Sequence, residues 1–339
     1  MEAPWDEARE KLLRVENLRT YFHTPDGVVK AVDGASFALD RGEALAVVGE
    51  SGCGKTVTAL SIMRLIPDPP GKIEEGKIFF EGRDLLELGD REMRQVRGNH
   101  IGMIFQDPMT SLNPVFKVGD QIREAVQLHL GLSRKEAKER AIQLMEMAEI
   151  SQARERYGMY PHEFSGGMRQ RAMIAMALSC EPKLLIADEP STALDVTIQA
   201  QIMELIGRLR RDIDLAVMLI THDLGVVAGV AETVLVMYAG KVVEYADIGS
   251  IYYRSKHPYA WSLMRAVPRL DERKKRLLTI GGSPPSLINL PPGCSFSPRC
   301  PFALEICRQE EPRLVEVEKG HLSACHFAAD FDSRAAEVL

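Results

Sequence analysis

The sequence predicts an α/β fold: a parallel-sheet core carrying a phosphate loop, an antiparallel β region ahead of it, a helical insertion within it and a small cysteine-rich extension after it. Three observations point there. The apolar run at residues 44–48 leads straight into Gly49-Glu50-Ser51-Gly52-Cys53-Gly54-Lys55-Thr56, and a helical apolar pattern follows. Two later apolar runs, 184–187 and 216–220, end in the polar pairs Asp188-Glu189 and Thr221-His222. Polar groups at the carboxyl ends of buried strands are expected of an open parallel sheet. Finally, 339 residues that are 45% hydrophobic and 27% charged suit a globular chain of about two domains.

Taken in order, residues 13–21 and 31–39 alternate apolar and polar side chains across Thr24-Pro25-Asp26-Gly27, which predicts two antiparallel strands joined by a turn. The continuous run 44–48 predicts a buried strand. From residue 55, Val57, Ala59, Leu60, Ile62, Met63 and Ile66 recur at helical spacing until the prolines 67, 69 and 70 stop the helix. A short apolar run, 101–105, precedes Gln106. Residues 107–165 change character, with helical patterns at 121–130 and 134–149 and few strand signals, so this stretch reads as an insertion in the core. A further helix starts after Ser165. The proline-rich stretch 281–292 marks a boundary, giving a domain at 1–250 and an extension at 251–339.

The formal charge of −6, from 48 acidic and 42 basic residues, gives no basic footprint for nucleic acid. No run approaches the roughly 18–20 apolar residues of a membrane span, and the first residues lack a basic head followed by an apolar stretch. The expectation is a cytoplasmic chain. The run Arg273-Lys274-Lys275-Arg276 reads as a solvated helix face.

The loop at 49–56 fits G-x-x-x-x-G-K-[ST], and its strand and helix flanks give the pattern its meaning. Glycines let backbone N–H groups turn inward around anionic oxygens, and the helix start adds its dipole. Lys55 neutralises β- and γ-phosphates and Thr56 offers its hydroxyl to Mg²⁺. Asp188, at a strand end, suits the Mg²⁺ shell. Glu189 is placed to orient or deprotonate an attacking water. Gln106 can reach both metal and water, and His222 can bond a γ-phosphate. Alone, a glutamine or histidine at these positions carries little weight.

In this order the residues resemble the ATP-binding-cassette ATPases, over residues 13–245: an aromatic in the first strand, the phosphate loop, Gln106, the Ser165-Gly166-Gly167-Met168 signature, Asp188-Glu189, the Ala193-Leu194-Asp195 loop and His222. The resemblance implies an ABC-type nucleotide-binding domain, a RecA-like P-loop core with an antiparallel β subdomain and a helical insertion. It implies ATP bound by Tyr21, Gly49, Ser51, Gly52, Cys53, Gly54, Lys55, Thr56, Val57, Gln106 and Asp188, with Tyr21 stacking on adenine and Phe22 the alternative. Mg²⁺ falls to Thr56, Gln106 and Asp188, and catalysis to Glu189, His222 and Gln106. The signature acts on a nucleotide held by a partner subunit, with Asp195 in the loop beside it.

Two departures stand out. Val57 replaces the usual hydroxyl residue, and the signature carries Met168 and Phe164 where most cassettes have Gln and Leu. Both, with residues 107–114 and the tail, are similar to the ATP-binding subunits of dipeptide and oligopeptide importers, the Met-bearing signature to the first of their two paired subunits. Partners implied are a paralogous ATP-binding subunit, two membrane permease subunits and an extracytoplasmic solute-binding protein, with the chain on the cytoplasmic face of the plasma membrane. Nickel-chelate or oligosaccharide import, or a soluble ATPase of repair or translation, is the alternative reading.

Cys294, Cys300, Cys307 and Cys325 are spaced C-x5-C-x6-C-x17-C, without the C-x-x-C of zinc ribbons. Thiolate-only sets suit zinc or an iron–sulfur cluster, and spacing leaves both open. The family resemblance implies [4Fe-4S]. His321 and His326 flank Cys325 as weaker ligand candidates, and Cys53 and Cys180 read as structural.

Overall fold

The structure, a computed structural model, describes residues 11–107, 111–191, 194–266 and 280–336. The basic run 273–276, residues 108–110 and Ala193 lie outside these. The chain forms two compact units, one made of residues up to 40, 45–86 and 221 onward, the other of 41–44 and 87–220.

In the first unit, alternation builds a hairpin. β1 (Leu13–Thr24) and β2 (Gly27–Leu39) pair antiparallel from Leu13 opposite Leu39 to Thr24 opposite Gly27. Both run closer to the turn than the pattern predicts, because Gly27 takes φ +135° and its carbonyl accepts the Thr24 hydroxyl at 2.8 Å. β3 (Ala44–Val48) is fully buried, as its unbroken apolar run requires. α1 (Lys55–Ile62) ends four residues before Ile66. Arg64 turns left-handed at φ +50°, and Leu65 bonds back to the Leu60 carbonyl.

β4 (Gly71–Phe80) and β5 (Arg83–Asp84) extend the hairpin into an antiparallel sheet ordered β2-β1-β4-β5. β4 carries two glycines and four charged residues and has no strand-like alternation; its pairing with β1, from Leu13 opposite Phe80 to Phe22 opposite Gly71, imposes the strand.

The second unit continues with α2 (Asp90–Val96), β6 (Ile101–Ile104), α3 (Val118–Leu130), α4 (Arg134–Met147), α5 (Ala153–Arg156) and α6 (Gly166–Ala177). α3 begins at Val118, ahead of the expected 121, because the buried Val118 and Gly119 N–H groups bond the Met159 and Tyr157 carbonyls. α4 starts on a capping box in which Ser133 and Glu136 bond each other's N–H groups. β7 (Leu184–Asp188), α7 (Val196–Asp212) and β8 (Ala216–Thr221) follow, and β6, β7 and β8 run parallel, Ile101 opposite Leu184 and Leu184 opposite Ala216.

Back in the first unit are α8 (Leu224–Val227), β9 (Thr233–Tyr238), β10 (Lys241–Asp247), α9 (Ile248–Arg254), α10 (Pro258–Ala266), α11 (Glu305–Gln309), β11 (Val315–Glu318), β12 (His321–Ser323) and α12 (Phe331–Ala336). β9 pairs parallel with β3, and β10, β12 and β11 add antiparallel strands beyond it. Val48, Val236, Tyr238, Ile251, Tyr259 and Phe296 share one core, so the tail is packed into the unit that carries the phosphate loop. No helix among the described residues is long and apolar enough to cross a membrane.

Candidate nucleotide-binding and hydrolysis site

The phosphate loop leaves the carboxyl end of β3 on three glycines with positive φ: Gly49 at +153°, Gly52 at +78° and Gly54 at +105°. Space closes the same positions. A Cβ on Gly49 would lie 2.2 Å from the Met237 carbonyl oxygen, and one on Gly54 2.3 Å from that of Ala31. Lys55 is 5% exposed, and its Nζ donates to the Gly49 carbonyl at 2.7 Å and the Glu50 carbonyl at 3.1 Å. The ammonium therefore sits inside the loop, where phosphate oxygens can take over from the carbonyls. Ser51 and Gly52 are exposed, and Thr56 and Val57 are half-buried in the first turn of α1. Cys53 is buried, which pushes its thiol pKa up despite the Lys55 charge; it packs rather than reacts.

On β1, the Tyr21 hydroxyl donates to Asp33 Oδ1 at 2.7 Å. Burial, then the Asp33 carboxylate, pushes the phenol up to about 12, so it stays neutral. Phe22 is committed elsewhere, its ring lying where a Cβ on Gly71 would be 2.8 Å away.

In the second unit, Asp188 ends β7 and is 2% exposed. Glu189 turns out of the strand at φ +46°, a left-handed conformation of the kind that collects at functional sites. Its N–H donates to the Ile220 carbonyl at 2.9 Å, and its Oε2 accepts from Gln106 Nε2 at 2.9 Å. Two residues 83 positions apart are thereby brought together. His222 is exposed, one residue past β8, and is assigned to the first unit.

Ser165 caps α6, its Oγ accepting from the Met168 N–H at 3.3 Å. Ser165 and Gly166 are exposed, and Gly167 is held close, since a Cβ there would lie 2.9 Å from Ile198 Cγ2. The Met168 thioether accepts from Arg156 Nη1 at 2.8 Å. Asp195 caps α7 through the Ile198 N–H at 3.0 Å.

Cys294, Cys300, Cys307 and Cys325 line one cavity, which His326 also borders. The Cys294 N–H donates to the Cys307 carbonyl at 2.8 Å. Burial pushes the Cys300 thiol up to about 12 and that of Cys325 up to about 11, and the neighbouring thiols push the same way. A bound cation reverses that preference, because it deprotonates a coordinating thiol. Among the described residues no three His, Cys, Asp or Glu side chains converge on one metal ion. His321 is turned away, bonding Glu244 at 2.7 Å, and His326 meets the Glu310 carbonyl at 3.0 Å.

Comparison with known proteins shows the family. The family model described as ABC transporter matches residues 32–192, and that described as oligopeptide/dipeptide transporter, C-terminal region, matches 243–307. The "Probable peptide ABC transporter ATP-binding protein y4tR" of Sinorhizobium fredii is 55% identical over 93% of this chain and 94% of its own length. The oligopeptide transport ATP-binding protein OppD of Salmonella typhimurium is 53% identical over 93% of each. Among solved structures, the dimeric cassette MJ0796 in a post-hydrolysis state with ADP and Pi is 26% identical, with a TM-score of 0.63 over 70% of this chain and 98% of its own. The fold, the phosphate loop and nearly full-length relatives at half identity agree: this chain belongs to the ATP-binding subunits of ABC transporters, in the branch that carries the oligopeptide/dipeptide C-terminal region.

Proposed function

We propose that this chain binds and hydrolyses ATP to drive uptake of di- and oligopeptides through separate membrane permease subunits. The observation that carries the catalytic half is the Gln106–Glu189 pair at 2.9 Å, which holds one carboxylate oxygen toward a fixed donor. The peptide half rests on the C-terminal region matched at 243–307 and on relatives named for peptide and oligopeptide transport.

Lys55 and the loop N–H groups cradle the phosphates, and Tyr21 lies against adenine. Thr56, Asp188 and Gln106 would hold Mg²⁺, which would supply positive charge to the nucleotide's phosphates. Glu189 takes the proton of the attacking water, and His222 holds the γ-phosphate in line. Ser165, Gly166, Gly167 and Met168 complete the site of a second ATP-binding subunit, a paralogue rather than a copy, and Asp195 fixes the adjoining loop. Closing the pair around ATP and reopening after hydrolysis is the population shift that moves the permease. The complex, with its extracytoplasmic solute-binding protein, places this chain on the cytoplasmic face of the membrane.

Residues 251–339 read as an extension that holds a [4Fe-4S] cluster on Cys294, Cys300, Cys307 and Cys325. The reading rests on four thiols lining one cavity, a donor set that suits an iron–sulfur cluster or zinc, and on the family resemblance, which favours the cluster. Protein purified without oxygen should be brown, with iron and acid-labile sulfide in equal amounts; a colourless sample containing zinc overturns the cluster. The transport reading is tested in vesicles holding the assembled transporter. Labelled tripeptide should accumulate only with ATP and the binding protein, and ATP turnover without peptide uptake rejects the assignment.

A further inference from the structure

We infer that Tyr259 and Arg299, in the C-terminal segment, are positioning residues for the phosphate loop, acting through Glu50. The inference rests on the loop's reading as the ATP site. The Gly49–Glu50 peptide is a rigid plane whose carbonyl and N–H point opposite ways. Its carbonyl accepts from Lys55 Nζ at 2.7 Å, and its N–H donates to the Tyr259 hydroxyl at 2.9 Å. Tyr259 thus sets which way the carbonyl that holds Lys55 must face.

The Glu50 side chain is held as firmly. Arg299 grips it with both guanidinium nitrogens, Nη1 to Oε2 at 2.6 Å and Nη2 to Oε1 at 2.9 Å, a bidentate pair with the arginine side chain only 5% exposed. Arg299 Nη1 also donates to the Tyr238 hydroxyl at 3.3 Å. Tyr238, Tyr259 and Phe296, all within 1% of full burial, pack with ring centroids 4.6 to 5.3 Å apart. This frame leaves the second residue of the loop little freedom, so the loop is held in shape before nucleotide arrives and loses less entropy on binding it.

The test uses the full chain for ATP affinity and the assembled transporter for turnover. Glu50→Gln, Arg299→Gln and Tyr259→Phe should each weaken MgATP binding about tenfold, roughly the worth of one hydrogen bond. KM for ATP should rise by the same factor while kcat stays within about twofold. The Glu50→Gln/Arg299→Gln double variant should be no weaker than either single, because both remove one interaction. Unchanged affinity in Glu50→Gln, or additive losses in the double, overturns the proposal even if melting temperatures fall. Arg299 adjoins Cys300, so iron content is measured in every variant, and Glu50→Gln decides where Arg299→Gln loses iron. A wild-type chain that fails to bind MgATP overturns the nucleotide-site reading instead, and the positioning role with it.

Discussion

Replacing Glu189 by Gln separates chemistry from binding. The side chain keeps its size and shape, and at φ +46° Gln carries the same backbone cost as Glu. The bond from Gln106 Nε2, now 2.9 Å to a carboxylate oxygen, passes to the new amide oxygen. Neither the loop around Lys55 nor the cap at Ser165 is touched, so MgATP affinity should stay within about threefold of wild type. On the proposed mechanism, what disappears is the acceptor for the water proton. General-base catalysis contributes roughly 10²- to 10⁴-fold, or about 2.7 to 5.4 kcal/mol on the barrier. The assays are phosphate release by the assembled transporter, equilibrium MgATP binding and gel filtration with ATP. Turnover should fall by at least about a hundredfold while nucleotide-bound closed pairs accumulate. Turnover within tenfold of wild type removes Glu189 from the base role, and loss of ATP binding shows that the carboxylate serves structure.

Gly54→Ala puts a Cβ 2.3 Å from the Ala31 carbonyl oxygen at φ +105°, so it should abolish MgATP binding and lower stability by about 1–3 kcal/mol, read by isothermal titration and thermal unfolding. Glu244 is fully buried, accepts from the Lys256 N–H at 2.6 Å and the His257 N–H at 2.9 Å, and is hydrogen-bonded to His321 Nε2 at 2.7 Å. Glu244→Leu orphans these partners and should cost at least about 3 kcal/mol in urea unfolding, at roughly 1–3 kcal/mol for each unsatisfied group. Complete burial lowers the His257 pKa to about 3, so the unfolded chain binds the extra proton between pH 3 and 6.5. The stabilisation is whole above pH 6.5 and is lost as pH falls; between pH 7 and 5 the difference is about 2 kcal/mol. A His257→Asn variant should show that much less acid sensitivity, and equal slopes would remove His257 as the cause.

What could be read from the residues follows how local each signal is. The loop at 49–56 was legible because one run of residues supplies strand, glycines, lysine and helix start. β4 was not, since its pairing with β1 overrides a sequence with Gly71, Gly76 and four charges. The apolar spacing predicts a longer α1, because the left-handed turn at Arg64 leaves no marker in it. At the site, Gln106 carried little meaning by itself and gains it from contact with Glu189 across 83 residues. Glu50, Tyr259 and Arg299 carry no joint signal in the sequence, because no spacing links a loop residue to partners more than 200 positions away. Arg299 in particular reads as one more basic residue beside a cysteine.

The start of α6 bears on the pairing proposed above. A helix start leaves its first N–H groups without intrahelical partners, and Ser165 spends its oxygen on only one of them, that of Met168. Gly166 is exposed and Gly167 has no side chain to cover the backbone, so the start of α6 presents donors outward, the disposition that suits an anion such as phosphate. Met168 then introduces an asymmetry. A glutamine here offers two N–H donors, whereas a thioether offers none and in this chain accepts from Arg156 instead. The signature this chain presents is therefore poorer in side-chain donors than one with glutamine. On the proposed pairing with a subunit that carries the glutamine form, the two ATP sites would be unequal, and the one completed by this chain would depend more on backbone N–H groups and the helix dipole.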